Sequence, residues 1–180
     1  MAGPAGVRDR LQPALLDRLI DEAPDTPVEA DERRVMSRQA LRQAVLRDLG
    51  WLLNAVQPLP AAQAAAFPQA ARSVLNFGLP PLSGQLASRI DIGVLERAMR
   101  EAMLRFEPRL LPEALQVRAL EASSVLERHN VIEFEITGQM WAQPVPLEML
   151  LRTALDLEAG QVEVRDLTAR ASAAPPAGRS

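Results

Sequence analysis

The sequence predicts an α+β domain whose N-terminal helices pack on one face of a small, mainly antiparallel sheet built by the C-terminal half. Three observations carry that expectation. Apolar residues recur at helical spacing through the earlier part of the chain, at every second position through the later part, and Pro and Gly punctuate the change.

Residues 1–10 are rich in Gly, Ala and Pro, and residues 168–180 (TARASAAPPAGRS) are equally poor in large apolar side chains, so both ends read as flexible tails. Residues 11–34 read as an N-terminal helix and an acidic linker, and residues 35–167 as the folded domain. Leu11, Leu15 and Leu19, with Leu16 and Ile20, make an apolar stripe on a short helix opened by Pro13 and ended by Pro24 and Pro27. Asp21, Glu22, Asp25, Glu29, Asp31 and Glu32 follow, read as a solvated linker or as a docking segment for a basic partner.

Ser37 is placed to cap a long helix with Leu41, Val45, Leu49, Leu52 and Val56 on one face, stopped by Pro58 and Pro60. Arg34, Arg38 and Arg42 form a basic stripe beside the acidic run, read as a solvated face partly paired with those acids. A short helical segment runs from Phe67-Pro68 to about Phe77, before a loop imposed by Gly78, Pro80, Pro81 and Gly84. Asp91 then caps a helix that faces one side with Leu95, Met99, Ala102 and Phe106, with Ile90 and Leu95 as its staple. Glu96–Arg100, Arg97–Glu101 and Glu101–Arg105 are opposite-charge pairs on its outer face, and Pro108 terminates it. The period then becomes two. Leu115, Val117 and Ala119 mark one strand, Ile132, Phe134 and Ile136 a cleaner one, Leu151, Thr153, Leu155 and Leu157 a third, and Val162 and Val164 a fourth. Gly160 suits a hairpin turn, so the last two strands pair antiparallel.

Composition narrows the chemistry. Of 180 residues 48% are hydrophobic and 24% charged, and the 20 basic residues, all Arg, against 23 acidic ones leave a net charge of −3. That balance does not fit general nucleic-acid binding, and no apolar run approaches the ~20 residues of a membrane span. Without Cys or Lys and with one His there is no disulfide, no thiolate metal site, no Schiff-base nucleophile and no ordinary zinc centre, so no metal or cofactor is expected. His129, in Glu127-Arg128-His129-Asn130, reads as an exposed turn residue. Glu133 and Glu135 lie two apart on one strand, a spacing open to two-carboxylate glycoside chemistry but also that of a solvent face.

The segment Phe106-Glu107-Pro108-Arg109-Leu110 stands apart. Pro108 fixes the backbone and Glu107 and Arg109 flank it as a rigid opposite-charge pair, either a docking device or a self-contained helix-end salt bridge. Together with Leu15-Leu16-Asp17-Arg18-Leu19, Leu46-Arg47-Asp48-Leu49-Gly50-Trp51-Leu52-Leu53-Asn54 and Arg72-Ser73-Val74-Leu75-Asn76-Phe77-Gly78-Leu79-Pro80, it resembles the TssE family of type VI secretion baseplate subunits, kin to the small wedge protein of contractile-phage baseplates. The resemblance covers about residues 11–166. It implies a non-enzymatic cytoplasmic protein at the inner face of the inner membrane. Glu107, Pro108 and Arg109 would bind the wedge complex of TssF, TssG and TssK, and the C-terminal strands would present a platform from which the sheath subunits TssB and TssC polymerise. Two other expectations stand beside it: a peptidoglycan hydrolase using Glu133 and Glu135, since the family is often labelled lysozyme-like, and a stand-alone module that binds peptides by strand addition.

Overall fold

The computed structural model describes residues 14–19, 36–81, 91–120, 131–142 and 144–168. The acidic linker, Ile90, Gly84, Arg34, His129 and nearly all of both tails lie outside the described residues. The elements are α1 (Leu15–Leu19), α2 (Arg38–Asn54), α3 (Ala61–Ala66), α4 (Pro68–Arg72), a 3-10 turn (Val74–Asn76), α5 (Ile92–Phe106), β1 (Gln116–Ala119), β2 (Val131–Met140), β3 (Leu147–Asp156) and β4 (Gln161–Asp166). The strands form one sheet in the order β1-β2-β3-β4, every neighbour antiparallel. The α+β expectation holds.

α2 begins where the Ser37 hydroxyl accepts the Ala40 amide at 3.0 Å, and α5 where the Asp91 carboxylate accepts the Val94 amide at 3.0 Å, each satisfying a donor that the first helical turn leaves free. Leu41, Val45, Leu49 and Leu52 of α2 and Leu95, Met99, Ala102 and Met103 of α5 are buried against the inner face of the sheet. That face carries Val117, Phe134, Ile136, Met149, Leu151, Leu155 and Val162, the alternate positions of each strand. Asp156 ends β3 by accepting the Glu158 and Ala159 amides, and Gly160, at φ 65°, turns the chain into β4.

Three expectations change. α2 stops at Asn54, ahead of Pro58 and Pro60, and Val56 is exposed rather than on the apolar stripe. The chain there pairs with the Gly78 loop instead: Leu79 N–H donates to Ala55 O and Gln57 N–H to Leu79 O, both at 2.8 Å. The alanine-rich helix α3 lies in a stretch for which the pattern predicts no element, because alanines form a helix without marking a face. Glu96 and Arg100 do not pair along α5 but turn onto β1, where Glu96 accepts the Ala119 amide at 2.6 Å and Arg100 donates to Leu115 O at 3.0 Å. Arg42 likewise reaches Asp166 at 3.4 Å and Glu148 O at 2.8 Å.

Helix side chains thereby reach both outer strands of the sheet. On β4, the Asn54 carboxamide donates to Val162 O and accepts the Val162 amide, each at 2.9 Å, as a neighbouring strand would. Exposed edges invite pairing with other chains, and capping them is a means of preventing it. Asn54→Ala is expected to cost about 1–3 kcal/mol in urea unfolding and to raise self-association measured by light scattering. An unchanged stability and a monomeric variant would rule that role out.

Candidate functional site

The turn after α5 explains its own residue choice. Leu110 N–H donates to Glu107 O at 3.1 Å, closing a β-turn whose second position is Pro108, where a φ fixed near −65° is wanted. Glu107 is buried and Arg109 folds back on it: Nε donates to Oε1 at 2.6 Å, Nη2 to Oε2 at 2.5 Å, and the Arg109 amide also reaches Oε1 at 3.1 Å. This fork on a carboxylate is the geometry that a guanidinium supports and an ammonium does not. Of the two readings of the motif pair, the geometry is that of the helix-end salt bridge: Glu107 and Arg109 turn inward onto each other rather than projecting, and Pro108 is left exposed.

The pairing continues into α2. Arg109 Nη2 also donates to Asp48 Oδ2 at 2.5 Å, Asp48 Oδ1 accepts Arg47 Nε at 2.9 Å, and Arg47 Nη1 lies 2.7 Å from Asp17 Oδ1 on α1. Charges therefore alternate along Glu107, Arg109, Asp48, Arg47 and Asp17. Burial lowers the Arg109 pKa, but the bonds to Glu107 and then Asp48 outweigh it and hold the group above its ordinary value. Arg47 behaves the same way, with Asp17 and Asp48 outweighing burial. Both guanidinium groups stay charged. The sequence's 2 tryptophans flank this cluster. Trp51, half-exposed, carries the Arg47 guanidinium 5.2 Å from its ring centroid, and the Trp141 amide donates to Arg109 O at 2.7 Å with its side chain half-exposed.

Both Glu107 oxygens are taken by Arg109, so the turn is braced from within. Sequence reasoning brought Glu107, Pro108 and Arg109 together but missed Arg47, Asp48, Asp17 and the tryptophans as members. Arg47, Asp48 and Trp51 share one helical stretch, a local signal, whereas the bond from Arg109 to Asp48 spans 61 residues. Glu133 and Glu135 stand on the outer face of the sheet, and Glu135 lies in register with Arg118 on β1 and Arg152 on β3. No group of residues that could hold a metal is found among the described residues.

A family model described as baseplate wedge protein gp25 matches residues 39–145. The chain belongs to that family. Matched residues thus include Arg47, Asp48 and the whole Glu107–Arg109 turn, and the span ends before β3 begins. Membership in a baseplate wedge family places the chain among the structural proteins of a phage-tail-like baseplate, in contact with other baseplate proteins. No curated protein and no solved structure matches the chain. Among the described residues no helix is long and apolar enough to cross a membrane.

Proposed function

We propose that this wedge-family protein is the TssE-type subunit of a type VI secretion baseplate, joining the wedge complex of TssF, TssG and TssK to the sheath of TssB and TssC and helping sheath assembly to start. The observation that carries the reading is the family match across 39–145, which encloses the braced Glu107-Pro108-Arg109 turn. In this reading the protein works at the cytoplasmic face of the inner membrane. Glu107 and Arg109 set the shape of the turn, and Pro108 with the exposed edge of Arg109 meets the wedge proteins. The outer sheet face, with Arg118, Glu135 and Arg152 in cross-strand register, is the sheath-side platform.

The protein acts without catalysis. Support comes from Glu135, whose place on the outer sheet face in register with Arg118 and Arg152 gives none of the apolar enclosure that a general acid needs.

Pro108→Arg tests the binding site with little disturbance of the cluster, because the ring is exposed and removing a turn proline costs only about 0.4–1 kcal/mol. Co-purification with the wedge proteins is expected to be lost while the urea midpoint stays close to wild type. Retained co-purification would overturn the site. Cell-wall turnover by the purified protein, abolished in Glu135→Gln, would overturn the non-catalytic reading.

A further inference from the structure

We infer that Asp48 on α2 is the positioning residue of the wedge-docking turn: it holds the Arg109 head group in one orientation before a partner arrives, so that the edge Arg109 offers beside Pro108 is preset. This rests on the proposed function above, in which that edge meets the wedge proteins, and adds the residue that readies it without touching the partner.

The bonds within the turn do not set that orientation against the rest of the domain. Glu107 and Arg109 are two residues apart, and the fork between them, at 2.6 and 2.5 Å, fixes their relation to each other. It joins neighbours and does not tie the guanidinium to any other element. Asp48 Oδ2, 2.5 Å from Arg109 Nη2 and 61 residues away in the chain, does so. An arginine side chain is rich in rotamers, and one held in advance has less freedom to lose when a partner docks.

α2 is a firm anchor for such a bond. Val45, Leu49 and Leu52 on the same helix are 0%, 0% and 2% exposed, so the core fixes the backbone that carries Asp48. The carboxylate is steadied as well: Oδ1 accepts Arg47 Nε at 2.9 Å, and the Arg47 guanidinium lies over the Trp51 ring. One oxygen therefore serves Arg47 and the other Arg109. Asp48 and Arg109 keep 25% and 20% of their side chains exposed, which puts their bond at the rim of the domain, within reach of solvent. Losing it strands no buried charge, because Glu107 keeps Arg109 and Arg47 keeps Asp17. What is lost is the preset orientation.

The test measures association of the full chain with the purified wedge complex of the same baseplate, by surface plasmon resonance. Asp48→Asn keeps the side chain's shape but has one oxygen where Asp48 uses two. Its head group at Arg109 is then correctly placed in only a fraction of molecules, so the on-rate is expected to fall about tenfold while the off-rate stays at the wild-type value. Gly50→Ala/Asp48→Asn is measured beside it, since a Cβ at Gly50 meets open space and a helical alanine restores stability. The on-rate is expected to stay low in this folded, stabilised variant. A wild-type on-rate in Asp48→Asn overturns the inference. So does an on-rate restored by Gly50→Ala, which would make Asp48 a matter of stability alone, or a change confined to the off-rate, which would make it a contact residue. If Asp48→Asn associates normally while Pro108→Arg does not bind, the baseplate reading stands and Asp48 does not position its turn. If the wild type does not bind the complex, the baseplate reading fails and takes this inference with it.

Discussion

Gly78→Ala is expected to destabilise the domain by about 3–5 kcal/mol in urea unfolding, enough to leave much of a marginally stable protein unfolded. Two causes add. Gly78 sits at φ 117°, a conformation that side chains other than hydrogen rarely adopt. A Cβ there would also meet the Ala55 carbonyl oxygen at 2.3 Å, so the backbone itself would have to move. Ala55 O accepts the Leu79 amide and Gly78 O accepts the Gln57 carboxamide, so the shift would break the seam between α2 and the loop. Gly50 gives the opposite sign. It lies within α2 with nothing within 4 Å of a built Cβ, and Gly50→Ala should stabilise by about 0.5–1 kcal/mol. Equal stability for the two variants would contradict the loop geometry.

Arg109→Ala should cost about 3 kcal/mol, toward the low end for breaking a buried ion pair because Arg109 and Asp48 keep 20% and 25% of their side chains exposed. The loss arises mostly from what remains: Glu107, 3% exposed, left without a cation. The double variant Glu107→Gln/Arg109→Met is therefore expected to be more stable than Arg109→Ala, since no unpaired charge is buried. Arg109→Lys cannot hold Glu107 and Asp48 together and should fall between wild type and Arg109→Ala. Additive losses in the double variant would show that the residues do not act as a unit. Reversing both charges is a poor probe of binding. It would set a carboxylate at position 109 against Asp48 and a guanidinium in the buried space of Glu107, so lost binding would follow from lost stability.

Local signals in the sequence carry the helix starts and the last hairpin. Ser37 and Asp91 cap helices because their side chains accept the amides three residues on, and Gly160 turns a hairpin of adjacent strands. Periodicity alone gives Leu41, Val45, Leu49 and Leu52 of α2, Leu95, Met99 and Ala102 of α5 and Phe134 and Ile136 of β2, and it overreaches at Val56. What stayed hidden joins distant parts of the chain: Asp48 to Arg109 across 61 residues, Asn54 to Val162 across 108 and Arg42 to Asp166 across 124. A single sequence carries no mark of such pairings. They also redirected side chains with a sensible local reading, as when Glu96 and Arg100 left their helical pairing for the β1 edge. The Glu107-Pro108-Arg109 motif was legible because its residues are neighbours, but its inward turn depends on Asp48.

The Asn54 carboxamide has a consequence of its own. A backbone strand closing β4 would have to unzip to expose it, whereas a side chain need only rotate about χ1 and χ2. If about 1–3 kcal/mol holds the bonds to Val162, that amide and carbonyl would be free in roughly one chain in six to fewer than one in a hundred at 25 °C. The edge of β4 is thus closed by a single side chain, which α2 itself steadies through the bond from Asn54 Nδ2 to Gly50 O at 2.8 Å.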